Sequence, residues 1–292
     1  MPIKRFHPAI SVLLCTYNAE QYIYKAIEST LQQSFHDFEL LIIDDGSTDN
    51  TLEIIKSFHD SRVRVIRGKH NYIKSLNIGM RNCNGKYIAR MDADDLMMPE
   101  RLKRQYSVLQ KYPDISVCFS WARKFGLIEG LHGFEIEGKI KNALFWLIVG
   151  NYLIHPTAMF RKDFLKEHHI YYKNYPYAED YKLWVDIAKL GDCFYVIPEP
   201  LLQYRTSKTQ VSFINREKQM SSKMLIQQEI LETLLKRINH PQKRVFIILY
   251  QQMLKLNSAE IVDGEEIIVL LYKLLRRTKY FDEDIRMFNN IY

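Results

Sequence analysis

A chain of 292 residues that is 47% hydrophobic, 13% aromatic and 26% charged can bury one large core or two modest ones, which excludes a disordered chain and a miniature stapled scaffold. Its 41 Lys and Arg exceed its 34 Asp and Glu, a formal net charge of +7 that matters only where it is clustered, because a cluster draws phosphate, nucleic acid or anionic lipid. The four cysteines, Cys15, Cys83, Cys118 and Cys193, form no Cys-x-x-Cys pair, which excludes a structural zinc site and a dithiol motif and leaves reduced, mostly buried thiols. Met1 to Pro8 is polar and basic, without the apolar run of a secretion signal. The longest uncharged apolar stretch, Asn142 to Ile154, is shorter than the ~20 residues that cross a bilayer, so a cytoplasmic protein is expected.

From Ala9 to about Trp121 short β-rich runs alternate with helical patterns. AISVLLC reads as a strand, Ala19–Gln33 as a helix, FELLIID as a strand, Asp49–Phe58 as a helix and RVRVI as a strand. A helix to about Asn82, the strand KYIARM, a helix over Pro99–Lys111 and the strand DISVCFSW follow. This alternation predicts an α/β fold, a mostly parallel sheet covered on both faces, with ligands bound beyond the C-terminal strand ends. The ends there are Thr16-Tyr17-Asn18, Asp44-Asp45-Gly46-Ser47 and Asp92-Ala93-Asp94-Asp95, three polar turns converging on one acidic crevice. Carboxylates gathered so closely repel one another unless a cation or hydrogen-bond donors neutralise them.

Beyond Trp121, the Gly-rich run from Lys124 to Lys141 reads as an excursion beside the crevice. A helix from Ala143, the run HPTAMF, AEDYKLWVDIAKLG on a helix, and two short strands at FYVIP and LLQYR complete this part. Trp184 falls on the apolar face of its helix, and Trp146 in ALFWLIV reads as packing or as a sugar-stacking ring. After Ser212 the texture is almost purely helical, so a boundary is expected there: residues 1–212 catalytic, in halves of about 1–121 and 122–212, and 213–292 a helical C-terminal region. In EEIIVLLYKLLRRTK, Ile267, Leu270, Leu271, Leu274 and Leu275 share a face beside Lys273, Arg276, Arg277 and Lys279. Such a helix can lie on an anionic membrane surface, and the favoured reading is a seam with the rest of the chain or a second copy of it.

Each acidic string admits two readings. The carboxylates of MDADDLMMPERL can hold a hard divalent cation whose other ligands are water and phosphate, or cap the next helix. LLIIDDGSTDNT lacks Gly-x-Gly-x-x-Gly, and its acids can accept hydrogen bonds from a base or ribose, while Thr48 or Asp49 caps a helix. Glu179 and Asp180 can cap their helix or serve chemistry.

Together SVLLCTYNAEQYIYKAIESTLQQSF, FELLIIDDGSTDNT, GKYIARMDADDLMMPERL and AEDYKLW resemble, in order and spacing, the GT-A-fold glycosyltransferases of family 2, over about residues 9–205. The resemblance implies an inverting enzyme that uses a nucleotide-sugar. It implies that Thr16, Tyr17, Asn18 and Asp44 or Asp45 hold the base, most often uracil, and that Asp92 contacts the ribose. It implies further that Asp94 ligates a Mn or Mg ion on the diphosphate with Asp95 in support, that Asp180 of the Glu179-Asp180 pair is the general base, and that His155 lines the acceptor or phosphate site. The acceptor implied is a glycan or a lipid-linked sugar of cell-surface polysaccharide or lipopolysaccharide synthesis. Where the family often has a histidine after Tyr-Arg, Tyr204-Arg205 precedes Thr206-Ser207-Lys208, which leaves the last metal ligand unassigned. Asn71-Tyr72-Ile73-Lys74 lacks the family's Asn-x-Gly, and no Gln-x-x-Arg-Trp follows Asp180, which favours single additions over processive synthesis.

Two other classes share parts of this pattern. A sugar nucleotidyltransferase would carry a Gly-rich basic loop after the first strand, which CTYNAEQY is not, and a non-catalytic sugar-binding protein would not need Asp180. A nucleic-acid role fares poorly against an acidic crevice and the lack of a reading module. The densest positive run, eight Lys or Arg and no acid over residues 61–91, is read as drawing a diphosphate to the crevice.

Overall fold

The computed structural model describes residues 7–133, 136–140, 143–191, 194–207 and 215–237. The stripe of 265–279, Lys208 and Cys193 lie outside them.

Strands β1 (Ile10–Thr16) and β2 (Phe38–Asp44) are buried along all seven residues, as apolar runs must be when helices cover both faces of a sheet. With β3 (Val63–Arg67) and β4 (Tyr87–Asp92) they form the parallel half, in the order β3-β2-β1-β4. The register pairs Thr16 with Asp44 and Cys15 with Asp92, so three acidic or hydroxyl-bearing ends reach one edge together.

The sheet is mixed rather than all parallel. Beyond β4 it runs β9 (Met159–Arg161), β6 (Val117–Gly126), β10 (Phe194–Thr206) and β5 (Leu96–Met97), with β9 antiparallel to both neighbours. The run HPTAMF supplies β9, preceded by a 3-10 turn over His155–Thr157. The expected strands at FYVIP and LLQYR are one strand, β10, whose register slips around Pro200, a residue that cannot donate to the ladder. The Gly-rich excursion is built into the sheet as β7 (Gly130–His132) on β6 and β8 (Gly138–Ile140) on β10.

Alternation along β1 separates two cores. Leu13 and Cys15 enter one with Leu41, Ile88, Phe119 and Trp184, while Ile10, Val12 and Leu14 enter the other with Ile42, Ala89 and Leu102. Helix α1 (Ile23–Leu31) buries Ile23, Ala26, Ile27 and Thr30, the i, i+3, i+4, i+7 stripe of a surface helix. Helices α2 (Thr51–Lys56) and α4 (Arg101–Lys111) are the other crossovers beside α3 (Tyr72–Asn82). Helix α3 sits tightly on β1 because Gly79 has no side chain; a Cβ there would lie 2.2 Å from a Leu13 methyl.

The second half adds α5 (Ala143–Val149), α6 (Lys162–Glu167), α7 (Glu179–Ala188) and α8 (Arg216–Arg237), with α8 packed on α5 and α7. Trp184 is fully buried at the centre of its core, edge-on to Phe119 at 4.8 Å and stacked on Phe160 at 5.6 Å. Trp146 is buried as well. The three described cysteines, Cys15, Cys83 and Cys118, are free and buried. Among the described residues no helix is long and apolar enough to cross a membrane.

Candidate active site

The first two strand ends are bolted to each other. Asn18, with a positive φ of 48°, donates its backbone N–H to Ser47 Oγ at 3.0 Å and accepts from the Thr48 N–H at 2.8 Å. Gly46 turns this loop at φ 88°, a conformation side chains rarely adopt. Asp45 is buried, and its Oδ1 accepts from the Asn71 N–H at 2.9 Å and Ser75 Oγ at 2.6 Å, which holds the start of α3 against β2. Asp44 is fully buried; its Oδ1 accepts from the Ser47 N–H, while Arg67 Nε stands 3.8 Å from Oδ2. Tyr17 is 43% exposed, with its ring 4.3 Å from that of His70, so an aromatic pair stands beside these turns.

The acids of β4 do not cap the following helix: α4 starts after Glu100, with no side-chain cap. Asp92 is half-buried and receives Arg90 Nη2 at 2.6 Å. Burial and the charge of Asp92 push the Asp94 carboxyl up to about 6, against the pull of Arg205 and Arg90. Asp95 is buried; its Oδ1 accepts the Arg205 N–H at 2.8 Å, and burial, then Asp92 and Asp94, hold its pKa well above the carboxylate range. Arg205 also donates Nε to the Asp94 carbonyl at 2.9 Å, its guanidinium 4.5 Å from the Tyr22 ring and 4.4 Å from Phe125.

Glu179 and Asp180 open α7, and neither is its cap, a position held by Ala178. Burial, then the charge of Asp180, pushes Glu179 up to about 7. Burial pushes Asp180 up to about 6, although the Tyr181 N–H at 2.7 Å and Asn151 Nδ2 at 2.8 Å favour its charged form; Asp92 raises it further. Asp92 is therefore close enough to act on Asp94, Asp95, Glu179 and Asp180, so the turn after β4 and the mouth of α7 form one cluster. His155 accepts or donates a 2.7 Å bond with the Tyr172 hydroxyl and is 5.9 Å from the Trp184 ring; burial and Arg90 keep it neutral.

Five buried side-chain atoms lack a hydrogen-bond partner among the described residues: Thr16 Oγ1, Asp44 Oδ2, which has only the longer ion pair with Arg67, Arg90 Nε, Asp95 Oδ2 and Trp184 Nε1. Four of the five belong to the strand-end turns or the strand feeding them. Unpaired buried polar atoms are rare, and their gathering here is what a site for a polar ligand leaves when none is bound.

Among the described residues no three His, Cys, Asp or Glu are grouped to cage a metal. The donor set still fits a hard cation held by one or two carboxylates with phosphate and water completing its shell: Asp92 and Asp94 offer oxygens, and burial, then the charge of Asp92, raises the Asp94 and Asp95 carboxyls, a penalty that a cation would relieve.

The basic run is not a free funnel toward this crevice. Arg62 and Arg64 pair with Asp60 and Glu39, toward the N-terminal ends of β2 and β3, while Arg67 and Arg90 pair with Asp44 and Asp92. The sequence reading missed Arg90, Tyr72, Arg205 and Asn151. A signal existed for Arg90, a charge between apolar neighbours inside a buried strand; Asn151 meets Asp180 across 29 positions and carries none.

A family model described as glycosyl transferase family 2 matches residues 11–168. The chain is 36% identical over 245 residues to an uncharacterized glycosyltransferase of Haemophilus influenzae, covering 79% of this chain and 76% of that protein. It is 31% identical over 189 residues to the Escherichia coli UDP-Glc:alpha-D-GlcNAc-diphosphoundecaprenol beta-1,3-glucosyltransferase WfaP, covering 62% of this chain and 71% of the relative. Its fold is similar to that of S. aureus TarS 1-349 in complex with UDP-GlcNAc, with TM-score 0.65, 20% identity, and 78% of this chain and 70% of that one covered.

Proposed function

Since the chain belongs to glycosyl transferase family 2, we propose that it is an inverting, metal-dependent enzyme that moves one sugar from a UDP-sugar to a hydroxyl of a glycan or lipid-linked acceptor in cell-surface polysaccharide or lipopolysaccharide synthesis. The observation that carries this reading is the set of unpartnered buried atoms at the strand ends, beside a carboxylate cluster that joins both halves of the sheet. The uridine donors are supported by the UDP-GlcNAc held by TarS and the UDP-Glc in the name of WfaP. The lipid-linked acceptor is supported by the diphosphoundecaprenol of the latter name.

The roles follow from the chemistry of each group. Asp44 Oδ2 accepts no hydrogen bond from the described residues, and the N3–H of uracil can donate one; Thr16, its register partner on β1, offers Oγ1, and Tyr17 supplies a ring face. Asp45 and Asn18 hold the base-side loops in place through the bonds they already make. Asp92 accepts from the ribose, and Asp94, backed by Asp95, would hold the cation. A bound Mn or Mg ion would offset the negative charge that develops on the departing diphosphate.

Asp180 takes the proton of the acceptor hydroxyl as its oxygen attacks the anomeric carbon from the side opposite the diphosphate. The new carbon–oxygen bond forms as the bond to the diphosphate breaks, so a single displacement inverts the centre. Asn151 and the Tyr181 N–H keep Asp180 ionised and aimed, and Glu179 shapes the field beside it. His155, neutral and bonded to Tyr172, lines the acceptor side.

A thermal-shift panel of UDP-, GDP-, CDP- and dTDP-sugars with and without Mn tests the reading, because preferential binding to the folded state raises its melting temperature. UDP-sugars with Mn are expected to stabilise most. Stabilisation by none of them would overturn the proposal.

A further inference from the structure

Arg90 is 1% exposed, inside β4 between Ala89 and Met91. A guanidinium there is costly unless its charge is paired and its donors are met, and here both terminal nitrogens are met while Nε has no hydrogen-bond partner among the described residues. Nη2 donates to Asp92 Oδ1 at 2.6 Å and to the Tyr72 hydroxyl oxygen at 2.8 Å, and Nη1 donates to the Met91 carbonyl. Behind it a second buried arginine, Arg101, donates Nη2 to the Arg90 carbonyl at 2.7 Å and fixes this stretch of β4. Tyr72 is the first residue of α3, in the segment whose sequence departs from the family's Asn-x-Gly pattern. One side chain thus ties the carboxylate after β4 to the helix after β3, two of the walls around the crevice.

We propose that Arg90 is a positioning residue of the donor site: it clamps Asp92 from behind, with Tyr72 as the second jaw, so that nucleotide affinity depends on Arg90 through Asp92. The proposal rests on the donor-site reading above. The planar fork of arginine suits it, because lysine places one point charge and cannot reach Asp92, Tyr72 and the Met91 carbonyl in the same geometry.

The test is a double-mutant cycle on UDP binding by titration calorimetry, in Mn and again without metal, with far-UV circular dichroism and urea unfolding to verify the fold. Arg90→Met and Asp92→Asn are each expected to weaken UDP about tenfold, the loss of a charge-assisted hydrogen bond. The double variant should bind within about twofold of the weaker single one, because the two act as a unit. Losses that multiply in the double variant, or wild-type affinity in Arg90→Met, would overturn the proposal. If Arg90→Met does not fold, Arg90→Lys and Tyr72→Phe carry the same test: each should weaken UDP in the wild-type background and add nothing to Asp92→Asn. Wild-type protein that binds no nucleoside diphosphate would sink the donor-site reading instead, so the two failures are distinguishable.

Discussion

In the proposed mechanism Asp180 sets the pH range of the reaction. Burial raises its pKa to about 6, and the hydrogen bonds from Asn151 and Tyr181 hold it from rising further. A general base works only when ionised, so transfer should be level above about pH 7 and fall about tenfold per unit below about pH 6, with donor affinity changing less. Asn151→Ala removes a bond that favours the charged form, so its acid limb should move to higher pH; a limb that stays put or moves down would show that Asn151 does not tune the base. The strings that contain Asp92, Asp94, Glu179 and Asp180 could be read from the sequence because acids at the ends of buried strands and helices stand out against apolar runs. The partners that tune them could not. Asn151, Arg205 and Tyr72 reach the acids across 29, 110 and 18 positions by way of Asp180, Asp95 and Arg90, and nothing local marks such pairs.

At the scale of elements, the base-bearing helix α7 is anchored from behind. Lys182, one turn into α7 and 4% exposed at its side chain, pairs with Asp186 and with Glu229 of α8 at 2.8 Å; Lys189 also pairs with Glu229, and Lys173 with Asp186 at 2.8 Å. Gln219 and Gln227 of α8 donate to the carbonyls of Tyr177 and Ile148, on either side of the Asn151–Asp180 bond. Glu229→Ala leaves a nearly buried Lys182 with one partner and should cost about 1–2 kcal/mol in urea unfolding, less than a fully buried pair because Glu229 is partly exposed. Because the lock bears on α7 and not on β4, kcat should fall while the KM for the donor holds. An equal loss in donor affinity would contradict this division of labour. Sequence reasoning offered capping as the plain alternative for the acids after β4 and for Glu179 and Asp180, and the N-caps answer it: they are Glu100 and Ala178, and none of those acids takes the position.

For the whole molecule, strands β1 to β4 could be read in order, β1 and β2 as largely apolar runs buried on both faces and β3 and β4 as short β-rich segments set between helical patterns. Strand β9 could not, because three residues behind a His-Pro turn carry no period, and its antiparallel place between β4 and β6 depends on long-range pairing. The +7 surplus was legible as a number, and its densest run divides by location: Arg62 and Arg64 answer Asp60 and Glu39 at the far strand ends, while Arg67 and Arg90 answer Asp44 and Asp92 at the crevice. What remains is a crevice where a donor side, built from the ends of β1, β2 and β4, meets a base presented by α7. The central claim is that binding and transfer are separable across that crevice, and calorimetric UDP-sugar titration paired with a transfer assay on Asp180→Asn tests it most directly. The account predicts donor affinity close to wild type with transfer abolished, while Asp94→Asn loses metal-dependent donor turnover. Transfer at the wild-type rate in Asp180→Asn would contradict it.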